Sequence, residues 1–201
     1  MAQEQSAKIK KKQWFQILAP QQFDNIVIGE TLVTEPQLMI GKQLSQSLMN
    51  LSNDVKRQNI HIHFKVVGID GNNGKTSIIG YKIVSSSVKR FVRRNSEKID
   101  LSFICETSDN MPLTVKPLLV TRAEVKGSVA AKLRQQTIGF LAKSIKKMTY
   151  DEVLASLISH KLQDSMKENL NKIYPLKVCE IRYLGIKEIR KPQEAKIELT
   201  Q

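Results

Sequence analysis

Four cations set on one short stretch are the residues in this chain whose types and spacing first suggest chemistry. In SSVKRFVRRNSEKID, residues 86–100, Lys89, Arg90, Arg93 and Arg94 surround Val88, Phe91 and Val92, which fall at the i, i+3, i+4 spacing of one buried helical face. Arginine offers a planar fork of donors matched to phosphate, and lysine a point charge. Anchored on so short an apolar platform, with Lys98 following, such a set would grip phosphate. A solvated basic face is the plainer alternative.

Other patterns are weaker on inspection. GIDGNNGKT at 68–76 resembles a phosphate-binding loop, but that motif needs a glycine five positions before the Gly of Gly-Lys-Thr, where Ile69 stands. It also needs a helix to begin at Lys75 and Thr76, and the text there is β-like. His61 and His63 share one face of a strand, yet no third ligand lies near them in sequence. Asp151 and Glu152 belong to a helix-capping pattern and need no acid/base role. Cys105 and Cys179 stand far apart with no zinc-type spacing and read as reduced packing residues. No catalytic residue, metal or cofactor is expected.

The elements that must position the cations can be read in order. Residues 1–12 form a basic arm, expected to be disordered, carrying Lys8, Lys10, Lys11 and Lys12. QWFQILAP is an apolar cluster stopped by Pro20, with Trp14 assigned to core packing. Gln43 to Leu51 fits either a short strand or a turn of helix, closed by a turn at Ser52-Asn53-Asp54. Asn59–Ile69 and Thr76–Val84 alternate at period two and make a hairpin around Asp70–Gly74. Ser85, Ser86 and Ser87 offer N-caps for the basic helix, which cannot run far past Asn95. Ile99–Thr107 and Leu113–Thr121 read as paired strands, with Pro117 marking an edge or a bulge.

At Gly127 the period changes to that of helices. Between Ser128 and Met148, Val129, Leu133, Phe140, Leu141 and Ile145 line one face, while Lys132, Arg134, Lys143, Lys146 and Lys147 cover others. Thr149-Tyr150-Asp151-Glu152 is a capping box that starts a second helix with Val153, Leu154, Leu157 and Ile158 inward. A third carries Leu162, Met166, Leu170 and Ile173 before Pro175. Leu176–Ile186 reads as a last strand that rejoins the sheet. The expectation is α+β: a mainly antiparallel β-rich part over 13–122 with an inserted short basic helix, a helical part over 128–173 and the strand at 176–186. These form one domain over 13–190, with a tail at 191–201.

With 201 residues and 41% hydrophobic content the chain can bury a real core. Thirty-two Lys and Arg against nineteen Asp and Glu leave +13, a self-repulsion that a polyanion would relieve. Nucleic acid fits best, because phosphate neutralisation also releases counterions. No apolar run approaches the roughly 20 residues of a spanning helix, and the N-terminus lacks a secretory core, so a cytosolic protein without membrane attachment is expected. Arg122 and Lys126 add to the basic set before the first long helix.

KKKQWFQILAP at 10–20, IGET at 28–31, FKVVGIDGN at 64–72, VRRNSEKID at 92–100, VKPLLVT at 115–121 and YPLKVCEIR at 174–182 occur in that order. Together they resemble the small-subunit ribosomal proteins of the archaeal and eukaryotic S-three-a-e family, also written the e-type S-one family. The resemblance implies a structural component of the small subunit with a β-barrel-like body. It implies a place on the platform near the messenger RNA exit, in contact with ribosomal RNA and neighbouring platform proteins, with mRNA close by and no homo-oligomer. Asn95 stands where an additional basic residue is often found in the family, and Ser108-Asp109-Asn110 where a Lys-Asp-Gly turn occurs. The chain lacks the long C-terminal extension of animal and fungal members, which fits an archaeal or reduced-eukaryotic source. The alternative readings are an RNA-processing or nucleotide-dependent remodelling enzyme, and a translation regulator acting off the ribosome.

Overall fold

The computed structural model describes residues 11–187. Lys8 and Lys10 of the basic arm, and the tail from 188 on, lie outside them. Strand β1 (Gln13–Leu18) pairs antiparallel with β2 (Val27–Val33), Gln13 opposite Val33 and Ile17 opposite Gly29. Alternation along β1 sends Phe15 and Ile17 inward to Val33, Met39 and Val66. The same alternation turns Trp14 outward, 68% exposed, which corrects its assignment to the core.

The ambiguous stretch after Gly41 becomes both candidates in succession. β3 (Gln43–Ser47) runs into α1 (Leu48–Ser52), whose first turn is capped by the Ser47 hydroxyl accepting from Met49 N at 3.3 Å. β4 (Ile60–Asp70) and β5 (Asn73–Ile83) form the expected hairpin, with Ile60, Ile62, Phe64 and Val66 buried and their neighbours outward. Gly71, first of the two turn residues, has a φ of 57°, the left-handed value a II′ turn requires there. Gly74, Lys75 and Thr76 of the loop-like motif lie in β5, so no helix N-terminus faces a phosphate at that point.

Helix α2 (Ser85–Phe91) follows β5 and leads to β6 (Lys98–Asp100), β7 (Phe103–Glu106) and β8 (Pro112–Thr121). The single strand expected over 99–107 is thus two short ones, both paired with β8. Ile99, Leu101, Phe103 and Cys105 still share the inward side. Helices α3 (Gly127–Ile145), α4 (Tyr150–Ile158) and α5 (Lys161–Asn171) precede the last strand, β9 (Leu176–Ile186). The capping box is present: Thr149 N donates to Glu152 Oε2 at 2.8 Å, and Glu152 N to Thr149 Oγ1 at 3.4 Å. Tyr150 at the head of α4 donates its hydroxyl to the Ile78 carbonyl at 3.1 Å, tying the helices to β5.

The result is a mixed α+β fold with one large, mostly antiparallel sheet in the order β2-β1-β5-β9-β8-β6, and β4 and β3 on the other edge of β5. Only the short β1–β5 contact, at Ile17 and Leu18, is parallel. β9 returns between β5 and β8, Gly80 opposite Gly185. A Cβ on Gly80 would stand 3.1 Å from the Leu184 carbonyl oxygen, so a larger residue there would make the backbone of β9 give by a few tenths of an ångström. Pro117 is inside β8, not at an edge, and the register slips beside it: Lys116 faces Tyr183 while Pro117 faces Ile181, leaving Arg182 as an extra residue.

Both cysteines are free and buried, and burial pushes their thiols up, to about 11 for Cys105 and about 12 for Cys179. Glu180, beside Cys179, is pushed up to about 7 by burial, with Asp164 adding to the effect and Lys167 opposing it. Its Oε2 is buried without a hydrogen-bond partner, 4.0 Å from His160 Nδ1. The folded chain therefore holds a proton that the unfolded chain releases near 4.5, and ionising Glu180 subtracts stability progressively as pH rises from about 4.5 to about 7. Glu180→Gln is expected to stabilise the fold by about 1–3 kcal/mol at pH 8, and the gain should vanish below about pH 4. Urea melts of both chains at the two pH values measure it. His160, whose pKa burial lowers, stays in both chains 4.0 Å from the replaced group, so the difference reports Glu180 together with its coupling to His160.

Candidate nucleic-acid interface

Helix α2 starts where the hairpin hands over its last ladder bond. Val84 N still donates to the Asn59 carbonyl at 2.9 Å, so Val84 itself is held extended and becomes the N-cap, with no side-chain cap. This corrects the expectation that one of Ser85–Ser87 caps the helix; all three are helical residues. The platform is as expected: Val88 is buried, and Phe91 and Val92 pack against the same core as Ile99.

The helix ends earlier than its charge pattern suggested. Val92 is extended (φ −85°, ψ 122°), so Arg93 and Arg94 sit in a turn after α2 and not on its surface. Ser96 Oγ donates to the Arg93 carbonyl at 2.6 Å and accepts from Arg93 N at 3.3 Å, and Asn95 takes a φ of 61°. Asparagine tolerates that left-handed conformation better than a longer basic side chain would. The turn is then pinned to the end of β8: Glu97 N donates to Thr121 Oγ1 at 3.0 Å and Thr121 N to the Glu97 carbonyl at 3.0 Å. Arg122 follows Thr121, so it emerges beside the same turn. Both turn arginines and Arg122 are exposed.

A second grouping is produced by the sheet. Lys82 on β5 pairs with Tyr183 on β9, and Tyr183 pairs with Lys116 on β8, so three side chains from distant parts of the chain form one row. Lys116 Nζ lies 5.2 Å from the Tyr183 ring centroid. The extra residue at the Pro117 bulge places Arg182 beside Tyr183, while Ile181 and Leu184 turn inward to the core. Lys89 from α2 and Lys98 from β6 complete the ring. Five cations from five elements thus line one cavity of about 550 Å³, together with Ile83, Val88 and Ser85. Among the described residues Asp100 is the one carboxylate paired with them, 2.5 Å from Lys98 and 3.9 Å from Arg182.

Of the cations named from sequence, Lys89 and Lys98 line this cavity, and Arg90 is exposed away from its lining. Lys143 and Lys147 meet at a separate groove of about 270 Å³ with Phe140 and Asn169. Lys126, Lys132, Arg134 and Lys146 are exposed but not gathered into either concavity, and Lys11 and Lys12 are exposed ahead of β1. Lys82, Lys116 and Arg182 were missed. Each occupies an outward strand position, a signal the sequence does carry, but their convergence depends on pairings between strands far apart in the chain.

Among the described residues, His61 and His63 included, no three His, Cys, Asp or Glu side chains cluster as a metal ion would require. Burial, then Lys82 and His61, lower the His63 pKa. No described helix is long and apolar enough to cross a membrane.

The α+β sheet thus converges cations from separate strands into one concavity, with further cations on the adjoining turn and helices. The profile of the ribosomal S3Ae family matches residues 1–189, and the chain belongs to that family, whose members are structural components and not enzymes. It is 31% identical over 172 residues to the small ribosomal subunit protein eS1 of Methanobrevibacter smithii, covering 86% of this chain and 89% of the relative. The protein of the same name from Desulfurococcus amylolyticus is 27% identical over 189 residues, covering 94% and 89%. That from Haloarcula marismortui is 25% identical over 193 residues, covering 96% and 90%.

Proposed function

We propose that this chain is a structural constituent of the small ribosomal subunit in the cytoplasm, binding ribosomal RNA on the platform near the mRNA exit and so supporting translation. Its neighbours there are other platform proteins, with mRNA close by, and it works as one domain and one copy. Its sheet, in which β4 takes one edge of β5 while β1 and β9 share the other, is read as a barrel-like body carrying α2 as an inserted basic helix. The observation that carries the proposal is the convergence of Lys82, Lys89, Lys98, Lys116 and Arg182 at one concavity, with the exposed Arg93 and Arg94 lying between Lys89 and Lys98 in the chain. The self-repulsion that goes with +13 is relieved when an RNA polyanion is bound.

Arg93, Arg94 and Arg122 contact phosphates from the turn. Lys11 and Lys12, with Lys8 and Lys10 ahead of them, contact RNA from the N-terminal arm. Lys126, Lys132, Arg134, Lys143, Lys146 and Lys147 do so from α3 and its ends. Recognition is by RNA shape more than by bases, since aromatic residues are only 5% of the chain. Sedimentation of the native protein at moderate salt tests the placement: it is expected to travel with the small subunit, and a wholly free pool would overturn it.

A further inference from the structure

We infer that the five-cation cavity takes one unpaired nucleotide of the bound RNA, with its phosphates on Lys82, Lys116 and Arg182 and its base against Tyr183. The inference deepens the RNA-binding reading and rests on it. Three features carry it. First, about 550 Å³ lies within the roughly 300–1,000 Å³ of sites that enclose a small ligand, and exceeds what a bare phosphate needs.

Second, the lining offers both kinds of surface a nucleotide needs. The five cations come from β5, α2, β6, β8 and β9, so a phosphate in the cavity has donors from several elements, the Arg182 fork among them. The lining also includes Tyr183, whose ring lies over Gly185 with Lys116 Nζ 5.2 Å from its centroid. Together with the nearly buried Ile83 and Val88 it gives a base a small flat or apolar surface. Among the described residues Lys82, Lys89 and Lys116 form no ion pair, whereas Lys98 and Arg182 share Asp100. The unpaired charge therefore lies on Lys89 of α2 and on the Lys82–Tyr183–Lys116 row, where a ligand would neutralise it.

Third, the site is concave. A paired A-form helix presents its phosphates along convex ridges and keeps its bases stacked inside, so it can lie across the mouth but cannot fill the cavity. A nucleotide extruded from a bulge or loop can do both.

The test uses the full chain and two RNA hairpins that differ by one unpaired uridine, with affinities measured at moderate salt by fluorescence anisotropy. The wild type is expected to bind the bulged hairpin about tenfold more tightly. Lys82→Gln combined with Lys116→Gln and Arg182→Gln is expected to abolish that preference while paired-hairpin binding persists through Arg93 and Arg94. Circular dichroism establishes that the triple variant is folded. Should it not fold, Lys82→Gln alone, at an exposed strand position, is expected to reduce the preference about threefold. Binding of both hairpins with no preference in the wild type, or a preference unchanged in the variants, would overturn the cavity assignment alone. Free uridine monophosphate binding as tightly as the bulged hairpin would overturn it too, by making the cavity a metabolite site. Failure to bind either hairpin would overturn the RNA-binding reading as well.

Discussion

A chain carrying Arg93→Ala and Arg94→Ala is expected to bind small-subunit RNA about ten- to a hundredfold more weakly than the wild type at moderate salt. Each arginine can make a charge-assisted, bidentate contact with phosphate, an interaction roughly twice as strong as a neutral hydrogen bond. The fold should not change, because both side chains are exposed and the turn is held by Ser96, Asn95 and the Glu97–Thr121 pair, not by the guanidinium groups. Loss of charge anywhere would weaken binding somewhat, so the control is Lys42→Ala with Lys75→Ala. These residues lie at the far end of the hairpin, Lys75 near the start of β5 and Lys42 beside Val66. The control is expected to cost less than about threefold. Equal losses in the two double variants would mean that binding follows net charge alone.

The largest effect on stability is expected from Phe64→Ala. Phe64 is fully buried at the centre of β4, and its ring meets Phe23 edge to face at 6.1 Å between centroids. Removing a buried aromatic ring costs its transfer free energy and leaves a cavity, together about 3–5 kcal/mol. A domain of this kind is stable by about 5–15 kcal/mol, so the loss takes a large part of the total. Chemical denaturation should show the midpoint falling with little change in slope. A loss below about 1 kcal/mol would mean that the sheet and the Phe23 turn are not packed as described.

The sequence was most informative where the signal is local. The capping box needs only Thr149 and Glu152 three apart, the β4–β5 hairpin only alternation and a glycine-bearing turn, and β9 only an apolar run after Pro175. Each is an energy term within a few residues, and each is present. The Pro117 irregularity was also legible, because a missing ladder donor must be accommodated somewhere.

What failed was decided by partners far along the chain. Trp14 looks like core until β1 pairs with β2 and the strand's phase gives the interior to Phe15 and Ile17. Val84 displaces three good capping serines because the β4 ladder holds it extended. The helical spacing of Val88, Phe91 and Val92 survives as a packed face, yet backbone helix ends at Phe91, which moves Arg93 and Arg94 from a helix to a turn. The cavity was the least legible of all. Lys82, Lys116 and Arg182 are neighbours only through the β5–β9 and β8–β9 registers and a one-residue bulge.

The central claim, that this basic surface binds ribosomal RNA through phosphates, is tested most directly by measuring affinity for small-subunit RNA as a function of salt. The wild type is expected to give a steep linear fall of log affinity with log salt concentration. The Arg93→Ala, Arg94→Ala chain is expected to give a slope shallower by about 1.5, close to the release expected for two phosphates. A wild-type affinity indifferent to salt, or identical slopes for the two chains, would contradict the account.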